Sequence, residues 1–257
     1  MKVVRLPAIH HDANIIIVSG TLGAVLIDAG TAWYQGLQIE RISGILDSIP
    51  LDHILLTSRR YPCAGGALHL SKHWGGIPIH IHSEGQSALE TGDFFTTWAN
   101  RYDSDMPQTP TLPLEDGQVF ALGNGEIQAL SLPGHAPDGM GFWMKEMKML
   151  VAGTLLPRAD RPARWDLPGG SLTSLKSSLE RVRALQCKAI VPLQGPAIRG
   201  KQHVDDVLQR HIEFVDQCIS LGGQPPSHWN RPSSTALWHT PMSPWPLKER
   251  EAVDELQ

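Results

Sequence analysis

Asn14 to Thr31 reads NIIIVSGTLGAVLIDAGT: two apolar runs rich in Val and Ile, Asn14 to Ser19 and Gly23 to Asp28, parted by Gly20 and Gly23. β-branched side chains suit a pleated surface and glycine permits a tight reversal, so the spacing predicts a β-hairpin. Upstream, Val3 to Leu6 reads as a further strand. Downstream, Thr31 to Ser48 reads as a helix, with Leu37, Ile42, Ile45, Leu46 and Ile49 near i, i+3, i+4 spacing. A short apolar strand, His53 to Thr57, leads into a polar loop ending in Gly65-Gly66. A helix over Ala67 to Trp74 and an alternating strand over Ile77 to His82 follow.

Residues 84–110 read as helix and loop closed by prolines. Strands are expected near Val119 to Leu122, Ile127 to Leu132, Gly141 to Met144 and Met149 to Ala152, and then a long loop over Arg158 to Gly170. Ser171 to Leu185 is an amphipathic helix with Leu172, Leu175, Leu179, Val182 and Leu185 on one face and Ser171 as its cap. A strand over Ala189 to Pro192 and a helix over Gln202 to Leu221 complete the body. This order predicts two sheets sandwiched between helices, not a doubly wound parallel sheet. The body is expected over 1–221 and an extended arm with a short closing helix over 222–257. Six of the 25 residues from Gly222 to Pro246 are proline, with Trp229, Trp238 and Trp245 between them.

Composition narrows the function classes. The 257 residues carry 22 Lys and Arg against 26 Asp and Glu, a formal net charge of -4, which argues against nucleic acid or an anionic membrane as partner. No apolar run approaches the ~20 residues of a membrane span. The first residues lack the apolar core of a secretory signal, and three scattered cysteines make no disulfide framework. A soluble, cytoplasmic protein is the expectation.

Five segments in order carry a resemblance: the Asn14 to Thr31 stretch, ILLTSRRYPCAGG from Ile54, SLPGHAPDG from Ser131, VAGTLLP from Val151 and IVPLQGP from Ile190. Together they resemble the metallo-β-lactamase fold, and within it the glyoxalase II-like branch that includes the β-lactamase-like protein 2 hydrolases. The resemblance covers roughly residues 3–220. It implies a four-layer αββα sandwich with a site at one end of the sheets, where active members hold one or two metal ions, usually zinc, and activate water.

The resemblance also exposes a departure. The family's T-H-x-H-x-D-H-x-G-G signature stands here as Thr57-Ser58-Arg59-Arg60-Tyr61-Pro62-Cys63-Ala64-Gly65-Gly66. Ser58 and Arg60 replace the first two histidines, Pro62 the aspartate and Cys63 the third histidine. His135 is kept. Gly153 or Thr154 stands for the bridging aspartate, or that residue is deleted, and Gln194 replaces the last histidine. Each metal position keeps one donor, whereas zinc sites take three or four protein ligands, and a permanent guanidinium at a ligand position repels a divalent ion. The expectation is no bound metal and no other cofactor.

The vestigial pocket would therefore comprise Ser58, Arg59, Arg60, Pro62, Cys63, His135, Thr154 and Gln194. Cys63 and His135 are the catalytic candidates: Arg59 and Arg60 nearby would favour a thiolate, while the plainer readings are a packed thiol and a loop hydrogen bond. Arg59 and Arg60 either bind an anion, or one enters an internal ion pair and the other is solvated. Asp28 is read as bracing the loop. His80 and His82 share a strand face and are read as surface or interface residues. His10 and His11 border the mouth or are plain loop residues. Trp98, Trp143 and Trp165 are read as packing, and the C-terminal tryptophans as contacts of a homodimer.

Four functions compete. A pseudoenzyme would keep the fold, lose the hydrolytic centre and bind a small molecule, an anion or a protein. A metal-independent hydrolase or transferase would use Cys63 and His135. Nucleic-acid binding is opposed by the charge. A conventional hydrolase of thioester or lactone substrates would need metal ligands from elsewhere, such as Asp138, Asp160 or His53.

Overall fold

The computed structural model describes residues 1–226, so the tryptophans of the expected arm and its closing helix lie outside the described residues. The first sheet takes β1 (Lys2–Leu6), β2 (Ile15–Ser19), β3 (Ala24–Ile27), β4 (Leu51–Leu55), β5 (Ile79–His82) and β6 (Leu112–Leu114), in that spatial order. Its first three strands pair antiparallel and its last four parallel. The second sheet takes β7 (Val119–Ala121), β8 (Glu126–Ser131), β9 (Met140–Met144), β10 (Met149–Val151), β11 (Ala189–Val191) and β12 (Ile198–Arg199). The helices are α1 (Gln35–Leu46), α2 (Tyr61–Ala64), α3 (Ala67–His73), α4 (Ser83–Glu90), α5 (Leu172–Ala184) and α6 (Lys201–Ser220).

The two-residue period of β2 and β3 assigns each side chain its layer. Ile16, Val18, Val25 and Ile27 point inward and meet Phe120, Ile127, Phe142 and Val151 of the opposing sheet. Ile15, Ile17 and Leu26 point outward and are covered by Ile42 and Leu46 of α1 and Leu70 of α3. On the far side, Leu175, Leu179 and Val182 of α5 and Val204, Leu208 and Phe214 of α6 cover Leu150 and Ile190. The αββα sandwich expected from the sequence is the one observed. Ser171 caps α5, its hydroxyl accepting from the Ser174 amide at 3.2 Å.

Asn14 ties the sheets together at one end. Its backbone amide donates to the Leu193 carbonyl at 2.6 Å, and its side-chain amide donates to the carbonyls of Pro192 and Gly195 at 2.9 and 3.0 Å.

The surface reading of His80 is corrected. Its ring is buried in β5 against Phe120, and its Nε2 lies 3.1 Å from Nδ1 of His53 in β4. His82, half-buried, accepts from the Glu84 amide at the start of α4. Alternation alone could not show that the β5 face carrying His80 is covered by the opposing sheet. Burial first, and the facing His53 second, push His80 down from 6.5 to about 4. The unfolded chain therefore takes up this proton before the folded one. The stabilisation from a neutral His80 is whole above pH 6.5 and is lost as the pH falls toward 4. His80→Phe is accordingly expected to gain on the parent as the pH falls through that window, by at most about 1.4 kcal/mol per unit of pH. Urea denaturation of both proteins at pH 7, 6 and 5 checks this, and a constant difference would refute it.

Candidate functional site

The loops after β4 and β8 meet at one end of the sandwich. The β3–β4 side begins with Asp28, which has a left-handed backbone (φ 59°) and accepts from both the Thr57 amide (2.8 Å) and the Thr57 hydroxyl (2.8 Å). The Asp28 carboxylate thus fixes where the polar loop leaves β4, the bracing role expected for it. Burial pushes its pKa up to about 7 against the lowering effect of Thr57.

The next two residues converge on Asp138, a fully buried side chain from the loop between β8 and β9. The Arg59 amide donates to Asp138 Oδ2 at 2.6 Å and the Ser58 hydroxyl donates to the same oxygen at 3.1 Å. Arg59 Nη1 pairs with Asp138 Oδ1 at 3.2 Å and also donates to the Glu84 carbonyl at 3.0 Å. Asp138, weighed from the sequence as a metal ligand, is engaged here as an acceptor and counter-ion. Nothing in local spacing tells an aspartate three residues past His135 that its partner lies 79 residues upstream.

Arg60 is fully buried, and neither arginine is solvated. Its amide donates to Ser58 Oγ at 3.3 Å, its Nη1 to the Thr96 carbonyl at 2.6 Å, and its guanidinium lies 5.2 Å from the centre of the Trp98 ring. A desolvated cation over an indole gains about 2 kcal/mol. Asp138 partly offsets the burial, which lowers the Arg60 pKa to about 10 and leaves the group charged at neutral pH. Thr96 and Trp98 had no role in the sequence reading of the site beyond packing for Trp98, because their loop lies far from the signature segment.

Cys63 and His135 are both brought to this end and both buried. The Thr57 hydroxyl lies 3.7 Å from Cys63 Sγ. Burial, followed by the nearby Asp28, pushes the thiol well above its ordinary range, and Arg60 counters this only weakly. The expected thiolate-favouring effect of the arginines is thereby corrected: desolvation of a thiolate outweighs a cation already facing Asp138. His135 moves the opposite way. Its Nδ1 lies 3.0 Å from the Arg164 carbonyl, and burial together with Arg60 holds the ring well below the usual imidazole range. At neutral pH the pair is a thiol and a neutral imidazole, not an ion pair.

The remaining pocket positions have structural engagements as well. Pro62 is buried in α2, and Thr154 is buried beside Gly153, whose left-handed backbone (φ 53°) brings it against Thr57. Gln194 donates to the carbonyls of His11 and Asp12 at 3.3 and 3.0 Å and so holds the loop before β2. That loop carries aromatic neighbours: His10 stacks on Tyr34, and His11 meets Trp33 and Tyr102 edge-on. Trp98 and Trp143 are buried, and Trp165 packs against Phe214. The other ligand candidates from elsewhere do not join the site: Asp160 pairs with Arg158 at 3.1 Å on the surface, and His53 faces His80. Among the described residues no group of three or more His, Cys, Asp or Glu side chains is placed to hold a metal ion. No helix of the described residues is long and apolar enough to cross a membrane.

Comparison with known proteins agrees with this architecture. The family model described as the metallo-beta-lactamase superfamily matches residues 10–194. The lactamase-like protein nscB of Aspergillus fumigatus is 32% identical over 213 residues, which are 81% of this chain and 54% of that protein. A human protein named acyl-coenzyme A thioesterase MBLAC2 is 27% identical over 167 residues, 57% of this chain and 59% of that protein. The chain thus spans somewhat more than half the length of these curated relatives. Among solved structures, TTHA1623 in a di-iron-bound form is 27% identical and superposes with a TM-score of 0.63, covering 76% of this chain and 94% of that one.

Proposed function

The chain belongs to the metallo-beta-lactamase superfamily, and from that membership we propose that it is a pseudoenzyme, one that keeps the sandwich but not the hydrolytic metal centre and uses the site for binding. The observation that carries this reading is Arg60, a fully buried guanidinium standing where the family signature has a histidine. A divalent ion placed beside it would meet a fixed positive charge in a poorly screened interior. The donor set supports the same reading. Ser58, Pro62, Thr154 and Gln194 offer no imidazole, thiolate or carboxylate, and the carboxylates at this end, Asp138 and Asp28, are already held by Arg59 and Ser58 and by Thr57. The residues present do not fit a metal.

A Cys63–His135 hydrolase has less support, since a protonated buried thiol is a poor nucleophile and no described contact orients the imidazole toward it. The substrate with which to test the proposal is a thioester, because a human relative carries the name of a thioesterase.

The test measures metal content and turnover together. Untagged protein is prepared without chelator, incubated with zinc, iron or manganese, desalted and analysed by elemental analysis, thermal denaturation and thioester and lactone hydrolysis. The expected result is far less than one ion per chain, no thermal shift and no hydrolysis above background. One or two tightly held ions per chain, with turnover lost in His135→Ala, would overturn the proposal.

A further inference from the structure

We infer that the Nε–Nη2 edge of Arg60 is the recognition element of an enclosed site for a carboxylate. The inference rests on the reading that no metal occupies this centre.

A guanidinium carries five N–H donors, and the pair on its Nε–Nη2 edge points in parallel, matching the two oxygens of a carboxylate. In Arg60 the opposite nitrogen, Nη1, is used by the Thr96 carbonyl. Nε and Nη2 are buried and find no acceptor among the described residues. Buried polar groups are nearly always satisfied, and an unsatisfied charged donor is the costliest kind. The Thr154 hydroxyl is likewise buried with no hydrogen-bond partner among the described residues. Two orphaned donor groups from separate loops at the same end of the sandwich point to an acceptor that is not part of the protein.

Charge selects its class. The cluster holds the cations Arg59 and Arg60 and the anion Asp138, and Asp28, raised to about 7, is partly protonated at neutral pH, so the formal excess is at most one positive charge. Asp138 is committed to Arg59 and Ser58, and Asp28 to Thr57. Cys63 stays protonated and His135 neutral. One negative charge balances the cluster, which suits a carboxylate, whereas a phosphate near −2 at neutral pH exceeds it. Ser58, Arg60, Cys63, His135 and Thr154 are all at most 1% exposed, so an occupant would be enclosed by protein.

The probe is acetate, titrated at constant ionic strength into chelator-free protein that has been dialysed against acetate-free buffer. Chloride and inorganic phosphate serve as comparators, and metal content is measured on the same samples. Acetate is expected to raise the melting temperature of the parent by about 5 °C at one hundred times its dissociation constant. Arg60→Met, which removes the fork, should show no acetate-dependent rise. Arg60→Lys, which keeps the charge without the parallel donors, should bind at least about tenfold more weakly; it also serves if the methionine variant does not fold. An equal rise in the variants, a stronger response to phosphate, or no response in metal-free parent would overturn the inference alone; the last outcome leaves water as the partner of Arg60. Stoichiometric metal in these samples would instead overturn the proposed function beneath it.

Discussion

Asp138→Ala is expected to lower stability by about 3–5 kcal/mol, which for a chain of this size corresponds to a fall in melting temperature of roughly 6–20 °C. The carboxylate is fully buried and faces two guanidinium groups, one of them at 3.2 Å. Its loss removes the counter-ion of Arg59, the acceptor of the Arg59 amide and the acceptor of the Ser58 hydroxyl together. Most of the cost is not the energy of the pair itself but the burial of cations with nothing opposite them. The double variant Arg59→Met, Asp138→Leu should therefore recover part of the loss, although the Arg59 amide stays unsatisfied. Chemical denaturation of parent, single and double variants checks this. A single variant within about 1 kcal/mol of the parent would mean that the ion pair is solvated and that the site is more open than Arg60 implies.

Gly134→Ala is expected to cost about 2–6 kcal/mol, combining backbone strain with overpacking. Gly134 lies at φ 146°, and a Cβ there would stand 2.5 Å from the Leu175 Cα in α5. The neighbouring backbone belongs to a helix whose own face is packed into the core, so it cannot yield as a flexible side chain can. Gly75→Ala is the control: its φ is also positive, at 80°, but nothing lies within 4 Å of the added methyl. It should lose only about 1 kcal/mol, the strain component alone. Thermal or urea unfolding of both variants separates the two effects, and equal losses would show that steric contact with α5 contributes little. The consequence for the site is direct, since Gly134 precedes His135 and sets where the imidazole enters the cluster.

How far the molecule could be read from its sequence depended on the range of the interactions involved. The hairpin from Asn14 to Thr31 was legible because a period of two assigns alternate residues to the inner and outer layers, and the layers then appear as separate cores. β6 and β12 were not foreseen. They are edge strands of three and two residues, and β6 contains Pro113, so neither carries enough alternation to be recognised. The changed ligand positions were legible residue by residue. What occupies them physically was not, because the partners of Arg59 and Arg60 come from the start of α4 and from loops around residues 96 and 138. The ionisation of Cys63 was misjudged for a related reason. Charged neighbours are visible in a sequence, whereas the depth of burial that overrides them is a property of the assembled fold.

The Asn14 staple gives the architecture an order in time. The first sheet is drawn entirely from residues 2–114 and the second from 119–199, so neither sheet needs a strand from the other half of the chain. The bond from the Asn14 side chain to the Pro192 carbonyl spans 178 residues. Closing so long a loop has a high entropic cost unless other contacts already hold its ends together. An early-synthesised side chain therefore waits for nearly the last strand of the sandwich before its amide is satisfied, and that bond registers that both halves have met.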